Sequence, residues 1–222
     1  MYFKRNLKNI FFRFALHLKS LGLIALVPLI ITNLISPLLA YLVYGRYDIS
    51  INLQISIREF SQLLFPLASV WWPMFVMREY IEGDGKELFY INKTNSILFD
   101  LFFLFIVELL NIILVFSIYV WLVPQLNYDY IRIVIICLLY FSVILFVGFL
   151  TNSSATTIFF VILYYIVNVF LGRGQNSAFL IYFSSEPLTK KSFLSNYLPL
   201  LIISVFLMIF GIVLNRKKIK FK

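Results

Sequence analysis

Six long apolar runs, separated by short polar segments, make up most of this chain. A helix needs roughly 20 apolar residues to cross about 30 Å of hydrocarbon, and inside a bilayer the backbone has to satisfy its hydrogen bonds within the helix. The pattern therefore predicts an all-α membrane protein, in which residues 1–222 form a single transmembrane domain with six transmembrane helices. The predicted spans are 21–44, 60–77, 97–123, 131–150, 155–171 and 197–214.

A different pattern precedes the first span. Over residues 2–19, apolar side chains recur at helical spacing with Lys and Arg residues between them, which predicts a basic amphipathic helix lying in the cytoplasmic membrane interface. Such a helix serves either as an anchor on anionic lipids or as a lever that links the membrane domain to a cytoplasmic partner. His17 lies on this segment, and we interpret it as an interfacial packing residue rather than a pH switch.

The longest outer connection, residues 172–196, lies before the last helix. It contains an apolar stretch, 178–183, that is too short to cross a bilayer. We therefore expect a re-entrant or interfacial segment at the outer face.

The placement of charge predicts the orientation of the chain. Of the 19 Lys and Arg residues, thirteen lie in the N-terminal segment, the loop 78–96 and the C-terminal tail, and six lie towards the other side of the predicted membrane. Because positively charged loops stay in the cytoplasm, both termini are predicted to be cytoplasmic. With 62% hydrophobic residues, the net charge of +9 indicates topology and contact with membrane lipids, and no nucleic-acid partner is expected.

Polar and aromatic side chains inside the predicted spans are candidates for lining a substrate pathway. Glu108 lies near the middle of the third span, where an ionised carboxylate is costly unless it is paired or hydrated. It is either a protonated hydrogen-bonding group between helices or part of a wet path, and we expect it to face the bundle interior. Two tryptophans of the second span belong either to this pathway or to an aromatic belt. The pathway candidates are Asn33, Trp71, Trp72, Glu108 and Asn111.

The sequence has no pattern typical of an enzyme. A single His excludes an HExxH site, and neither GxxxxGK[ST] nor GxSxG occurs. The single cysteine, Cys137, excludes an internal disulfide and a zinc cluster. We therefore expect no catalytic residue, metal or cofactor in this chain.

The loop 78–96, REYIEGDGKELFYINKTNS, is the most polar stretch between the termini. Its acidic residues lie on the predicted cytoplasmic side, where the positive-inside trend favours Lys and Arg. An acidic surface there favours a basic protein partner, and its two glycines permit a sharp turn.

The order of these elements resembles the membrane subunit of type-two ABC exporters, the bacterial permeases for antibiotics, peptides, lipids and glycans. The shared features are the inside amphipathic helix, the acidic inside loop of the form E-x-x-E-G-x-G-x-E-L after the second span, and the long outer connection before the last span. In that family this loop is a coupling helix with a glutamate, then Gly-Thr, then Glu-Leu-Leu. Glu82, Gly83, Glu87 and Leu88 match, whereas Asp84 replaces the threonine.

The resemblance implies a permease that exports an amphipathic substrate across the bacterial plasma membrane, with a role in antibiotic or peptide resistance. It implies pairing with a second copy of itself or a related permease, and a separate ATPase subunit that binds ATP and Mg. The residues implied to dock on that ATPase are Glu79, Glu82, Gly83, Asp84, Gly85, Glu87 and Leu88.

Two other functions fit the sequence less well. A stand-alone immunity protein against a bacteriocin has no evident use for an acidic cytoplasmic loop. An ion-coupled carrier that uses Glu108 is disfavoured because inverted repeats and further mid-membrane charges are lacking.

The predicted topology is tested by single cysteines introduced at three positions. Because of the charge asymmetry, we expect cysteines at positions 52 and 175 to react with an impermeant maleimide in intact cells. A cysteine at Lys86 should react only after permeabilisation, and its labelling in intact cells would reject the orientation.

Overall fold

A computed structural model of the chain describes residues 14–44, 51–83, 96–171 and 187–220. Within these ranges the ordered elements are helices and no strand occurs. Among the described residues, five helices are long and apolar enough to cross a membrane, and a shorter apolar helix covers Ser154–Phe170. The prediction of an all-α membrane protein is therefore confirmed. The apolar stretch 178–183 of the predicted re-entrant segment lies outside the described residues.

Six helices are numbered here in chain order. They are α1 (Phe14–Val43), α2 (Ile51–Glu82), α3 (Ser96–Leu122), α4 (Asp129–Thr151), α5 (Ser154–Leu171) and α6 (Leu198–Lys220). The second helix extends beyond the predicted 60–77 at both ends, and the last extends beyond residue 214. Both extensions contain polar residues. A span predicted from an apolar run ends at such residues, although the helix itself continues through them.

Helices α2 and α4 form the centre of the bundle, and α1 and α6 lie on opposite flanks. In the most apolar window of α4, 72% of residues are buried, against 28% in α1 and 22% in α6. Helix α2 packs on α1, α3, α4 and α5, whereas α6 packs along α4. At Gly211 a Cβ would lie 2.9 Å from the backbone of Leu145 in α4, so this glycine allows α6 to approach closely.

The two ends of the bundle are named after residues located there. Glu82 ends α2 close to the start of α5, since its side chain bonds to Ser154. We call this the Glu82 end. At the opposite end, Arg58 of α2 bonds to Asp129 at the start of α4. We call this the Asp129 end.

The chain folds back on itself at Gly22. The ring of Trp72 lies 6.0 Å from that of Phe14, and the Trp72 indole N–H also donates to the carbonyl of Ala25 at 2.9 Å. Eleven residues of straight helix would separate Phe14 from Ala25 by about 16 Å, so the chain has to change direction between them. Gly22 does so at φ +57°, a backbone region that residues with a Cβ rarely adopt. The sequence predicts that the amphipathic helix ends at residue 19 and that the first span begins at residue 21, so the predicted boundary lies directly before this turn.

Two wide π-helical turns occur at the same distance before a proline. They cover Ile31–Ile35 before Pro37 and Phe193–Tyr197 before Pro199. Proline has no N–H, and its ring clashes with the carbonyl four residues earlier. In each turn, the residue directly before the proline bonds to the carbonyl five residues earlier: the N–H of Ser36 bonds to Ile31, and the N–H of Leu198 bonds to Phe193. Bonds of this length give the wide turn.

We expect Gly22→Ala to lower the free energy of unfolding by about 1–2 kcal/mol, the cost of a left-handed conformation for a residue with a Cβ. The added methyl group meets no atom within 4 Å, so the cost reflects the backbone alone. Denaturation in mixed micelles measures the change. Gly22→Asn is the control, because Asn tolerates this region better. Equal stability of the alanine variant and the wild type would contradict the fold-back.

Candidate functional site

A polar cluster at the Glu82 end joins α1, α2 and α3. His17 Nδ1 lies 3.1 Å from Glu79 Oε2, and the hydroxyl of Ser20 donates to the other oxygen of the same carboxylate. On the opposite side of the ring, His17 Nε2 lies 3.3 Å from the hydroxyl of Tyr80, which donates to Asp100 at 2.6 Å. We call these five residues the His17 cluster.

The geometry of the His17 cluster fits a protonated imidazole. A neutral ring carries one N–H, whereas an imidazolium donates from both nitrogens. With both donors present, Nδ1 bonds to Glu79 and Nε2 bonds to the oxygen of Tyr80, which passes its own hydrogen to Asp100. Two carboxylates then surround one cation. The cluster holds the segment 14–21 against α2 and α3. The sequence suggests that His17 is an interfacial packing residue, whereas in the structure it links helices.

Glu82 forms a second connection at the same end. Its two carboxylate oxygens accept hydrogen bonds from the backbone N–H of Ser154 at 2.8 Å and from the Ser154 hydroxyl at 2.7 Å. A carboxylate at this position satisfies an unpaired N–H of the first turn of α5 and complements the positive end of the helix dipole. The exposed Arg78 lies 3.8 Å away and adds little. Glu82 therefore links the end of α2 to the start of α5.

The structure places part of the predicted docking loop beside these links. Glu79 and Glu82 lie in the last turns of α2, and Gly83 directly follows them. A cleft of about 500 Å³ opens there, lined by Ser20, Arg78 and neighbouring side chains. The other candidates, Asp84, Gly85, Glu87 and Leu88, lie outside the described residues.

A hydrogen-bonded chain crosses from the outer face of α1 to the bundle interior. Asn33 Nδ2 donates to Thr32 Oγ1 at 3.0 Å, and Asn111 Nδ2 donates to the same oxygen at 2.8 Å. Asn111 Nδ2 also lies 3.3 Å from Glu108 Oε1. Three of the five pathway candidates are thus joined through Thr32, which the sequence analysis did not single out. We call these four residues the Thr32 chain.

Glu108 is the buried end of the Thr32 chain. Its side chain is fully buried, and Oε2 has no hydrogen-bond partner within the part of the chain that the structure describes. An unpaired buried polar atom costs free energy and is uncommon in folded proteins. Glu108 therefore faces the interior, as its energetics predict, and it stands out as a candidate functional group.

The remaining pathway candidates, Trp71 and Trp72, lie at a different place. Their indole N–H groups donate to the carbonyls of Ile24 and Ala25, at 3.1 and 2.9 Å. These carbonyls belong to the 3-10 turn Gly22–Leu26. Both tryptophans therefore hold the fold-back of α1 against α2.

An ion-pair cluster holds the Asp129 end together. Arg58 Nε donates to Asp129 Oδ2 at 2.8 Å, and an Arg132 guanidinium nitrogen lies 3.3 Å from Oδ1. The Arg132 guanidinium also lies over the ring of Tyr197, 5.3 Å from its centre, which is a cation–π arrangement. Asp129 and both arginines are at most 3% exposed.

The charge pattern of the sequence places Arg58 and Arg132 among the basic residues of the outer side, Arg58 in a connection and Arg132 at the start of the fourth predicted span. The structure places Arg58 inside α2, which begins earlier than the predicted span, and shows both arginines as buried partners of one aspartate. The local signal was the spacing of Asp129 and Arg132, three residues apart on one helix face. The pairing with Arg58 has no local signal.

No group of three or more His, Cys, Asp or Glu side chains that could hold a metal ion occurs among the described residues. Comparisons with protein families, curated proteins and solved structures match nothing. The inferences below therefore depend on the residues and contacts of this chain.

We expect Asp129→Asn to lower the free energy of unfolding by about 3–5 kcal/mol, because the change removes the anion that two buried guanidinium groups share. Denaturation in mixed micelles measures the loss. Arg78→Ala is the matched control: it removes the exposed pair with Glu82, whose contribution is at most about 1 kcal/mol. Similar losses in the two variants would show that the Asp129 cluster does not stabilise its end of the bundle.

Proposed function

We propose that this chain is the membrane subunit of a bacterial ABC exporter, which moves an amphipathic peptide, antibiotic or lipid-like substrate across the plasma membrane. A separate subunit would bind ATP and Mg and hydrolyse the nucleotide. The observation that carries the proposal is the connectivity of the end of α2. The acidic loop begins there, and two glutamates of that end bond to two other helices.

A docking loop has to transmit displacement to the helices that enclose the substrate. Glu79 connects the end of α2 to His17 and Ser20 on the folded-back segment of α1. Glu82 connects it to Ser154 at the start of α5. A force on the loop would therefore move three elements together, which a binding protein without an ATPase does not need.

The predicted docking residues divide into two groups under this proposal. Glu79 and Glu82 already bond within the chain, so they serve as relays together with Gly83, where the helix ends. The contact surface for the ATPase then consists of Asp84, Gly85, Glu87 and Leu88. The loop lies in the cytoplasm with both termini, and six spans cross the membrane.

The substrate pathway follows the Thr32 chain in this proposal. Asn33 is exposed on the outer face of α1, and Glu108 is buried behind it. Two copies of the chain, or this chain and a related permease, would enclose the pathway between them. Trp71 and Trp72 hold the wall in place through the backbone of α1.

We expect the Glu87→Lys variant to lose binding of the ATPase, and the Glu79→Gln variant to bind the ATPase but lose coupling to it. Glu87→Lys places a positive charge on the docking surface, so less Walker-motif ATPase should co-purify with the tagged chain from its native membranes. Glu79→Gln keeps the docking surface but weakens the link to His17 and Ser20. It should retain the ATPase and lose substrate-stimulated ATP hydrolysis.

Gln125→Lys is the control for added positive charge, since Gln125 is exposed near the start of α4 at the Asp129 end. It should behave as the wild type in both assays. Unchanged ATPase recovery in Glu87→Lys together with unchanged stimulation in Glu79→Gln would reject the coupling role of this loop.

A further inference from the structure

His17 connects to two other helices through the two nitrogens of its ring. Nδ1 lies 3.1 Å from Glu79 Oε2 on α2. Nε2 lies 3.3 Å from the hydroxyl of Tyr80, which donates to Asp100 Oδ2 on α3 at 2.6 Å, and Nε2 lies 3.7 Å from the same Asp100 oxygen. The side chain of His17 is buried, so these contacts are shielded from water. One imidazole therefore holds the segment 14–21 on two sides.

The number of protons on the imidazole decides how many of these sides it can hold. An imidazolium donates from both nitrogens, whereas a neutral imidazole donates from one and carries a lone pair on the other. If the proton leaves Nδ1, a lone pair faces the Glu79 carboxylate. If the proton leaves Nε2, a lone pair faces the Tyr80 oxygen, and the Tyr80 hydrogen can satisfy it only by leaving Asp100. Loss of either proton therefore breaks one link.

The titratable groups that face the ring come from two helices. They are Glu79 and Tyr80 of α2 and Asp100 of α3. On the segment of His17 itself, Lys19 is exposed to solvent. Burial disfavours the charged form of an imidazole, and nearby carboxylates favour it. Of the side chains that ordinarily titrate between about pH 5 and pH 9, histidine is the one that this cluster contains.

We propose that the His17 cluster is a proton-dependent switch: protonated His17 holds the segment 14–21 against both α2 and α3, and loss of the proton releases one of the two sides. The release is local. Phe14 stays packed on aromatic rings of α2 and α3, and Ser20 still donates to Glu79, since none of these contacts involves the imidazole. Deprotonation therefore loosens the segment between Phe14 and Ser20 without unfolding α1.

The segment that this switch holds borders the cleft at the Glu82 end. Ser20, Leu21 and Glu79 line this cleft of about 500 Å³, so loosening of the segment alters one of its walls. In the proposed exporter, Glu79 relays displacement of the acidic loop to the same segment. This consequence rests on the proposed function: ATP hydrolysis would be coupled to transport less tightly as the cytoplasmic pH rises. The switch itself is measured without an ATPase, so its failure is distinguishable from failure of the transport proposal.

The first experiment follows the proton on the imidazole. His17 is the single histidine of the chain, so isotope-labelled histidine in the full chain with a histidine-free tag reports this ring alone. Solid-state NMR in lipid bilayers between about pH 5 and pH 9 should show both ring nitrogens protonated at the acid end and one at the alkaline end. Asp100→Asn should lower the pH of the midpoint, because it removes one of the two charges that favour the imidazolium.

The second experiment measures how firmly the segment is held. In a background that lacks Cys137, spin labels at Leu16→Cys and Phe99→Cys, both exposed positions, report the separation of the segment from α3 by electron paramagnetic resonance. We expect a narrow distribution of distances at acid pH that broadens with the same midpoint as the titration of His17. His17→Gln, which stays neutral, should give the broad distribution at every pH.

A label pair at the other end of the bundle is the matched control. Ile131 and Leu194 are both exposed and line one pocket at the Asp129 end, where the chain has no histidine. Their separation should not change with pH. The proposal is overturned if His17 keeps one protonation state over the whole range, if the Leu16–Phe99 distribution stays constant while His17 titrates, or if His17→Gln responds to pH as the wild type does.

Discussion

A charged or hydrogen-bonding side chain that is buried within a membrane-embedded bundle has to find its partner inside the protein, because no water is available to replace one. This constraint explains where the helices of this protein meet. Asp129 has to lie against Arg58 and Arg132, and Thr32 against Asn111. Apolar packing alone does not specify such contacts, since lipid tails are as apolar as leucine. The polar partners therefore determine which faces of the helices turn inward.

Helix α2 takes part in most of these contacts. Near one end Arg58 binds α4, and near the other Glu79 and Glu82 bind α1 and α5. Between them, Trp71 and Trp72 hold the backbone of α1. A displacement at the Glu82 end would therefore act directly on α1 and α5, whose side chains and backbone are bonded to that end. This property gives the acidic loop after α2 its mechanical significance in the proposed exporter.

Helix α1 combines two opposite roles. Its first turns, before Gly22, are fixed to α2 and α3 by aromatic contacts and by the His17 cluster. Its later turns expose a broad apolar face that contains Asn33. The helix thus connects the Glu82 end to an apolar surface on the outside of the bundle. A wide turn at Ile31–Ile35 lies at this surface, and such turns often occur at functional sites.

The sequence by itself determined the class of protein and much of its helix pattern. Long apolar runs require helices wherever water is excluded. The wide turns before positions 37 and 199 arise because proline has no N–H to donate. The sequence also indicated that Glu108 faces inward, because the cost of exposing a carboxylate to lipid does not depend on the detailed fold. These are local properties of composition and spacing.

The tertiary structure alone decided which distant polar groups meet. His17 lies 62 residues before Glu79, and Arg58 lies 71 residues before Asp129. No periodicity along the chain encodes either pairing, so the sequence alone indicates neither the links that His17 makes nor the aspartate that the two arginines share. Helix ends were misplaced for the same reason: polar residues such as Arg58 continue a helix once a partner from another helix neutralises them. Among the described residues, the unpaired oxygen of Glu108 became visible only when the partner of its carboxylate was known, because satisfaction of a hydrogen bond is a property of the folded arrangement.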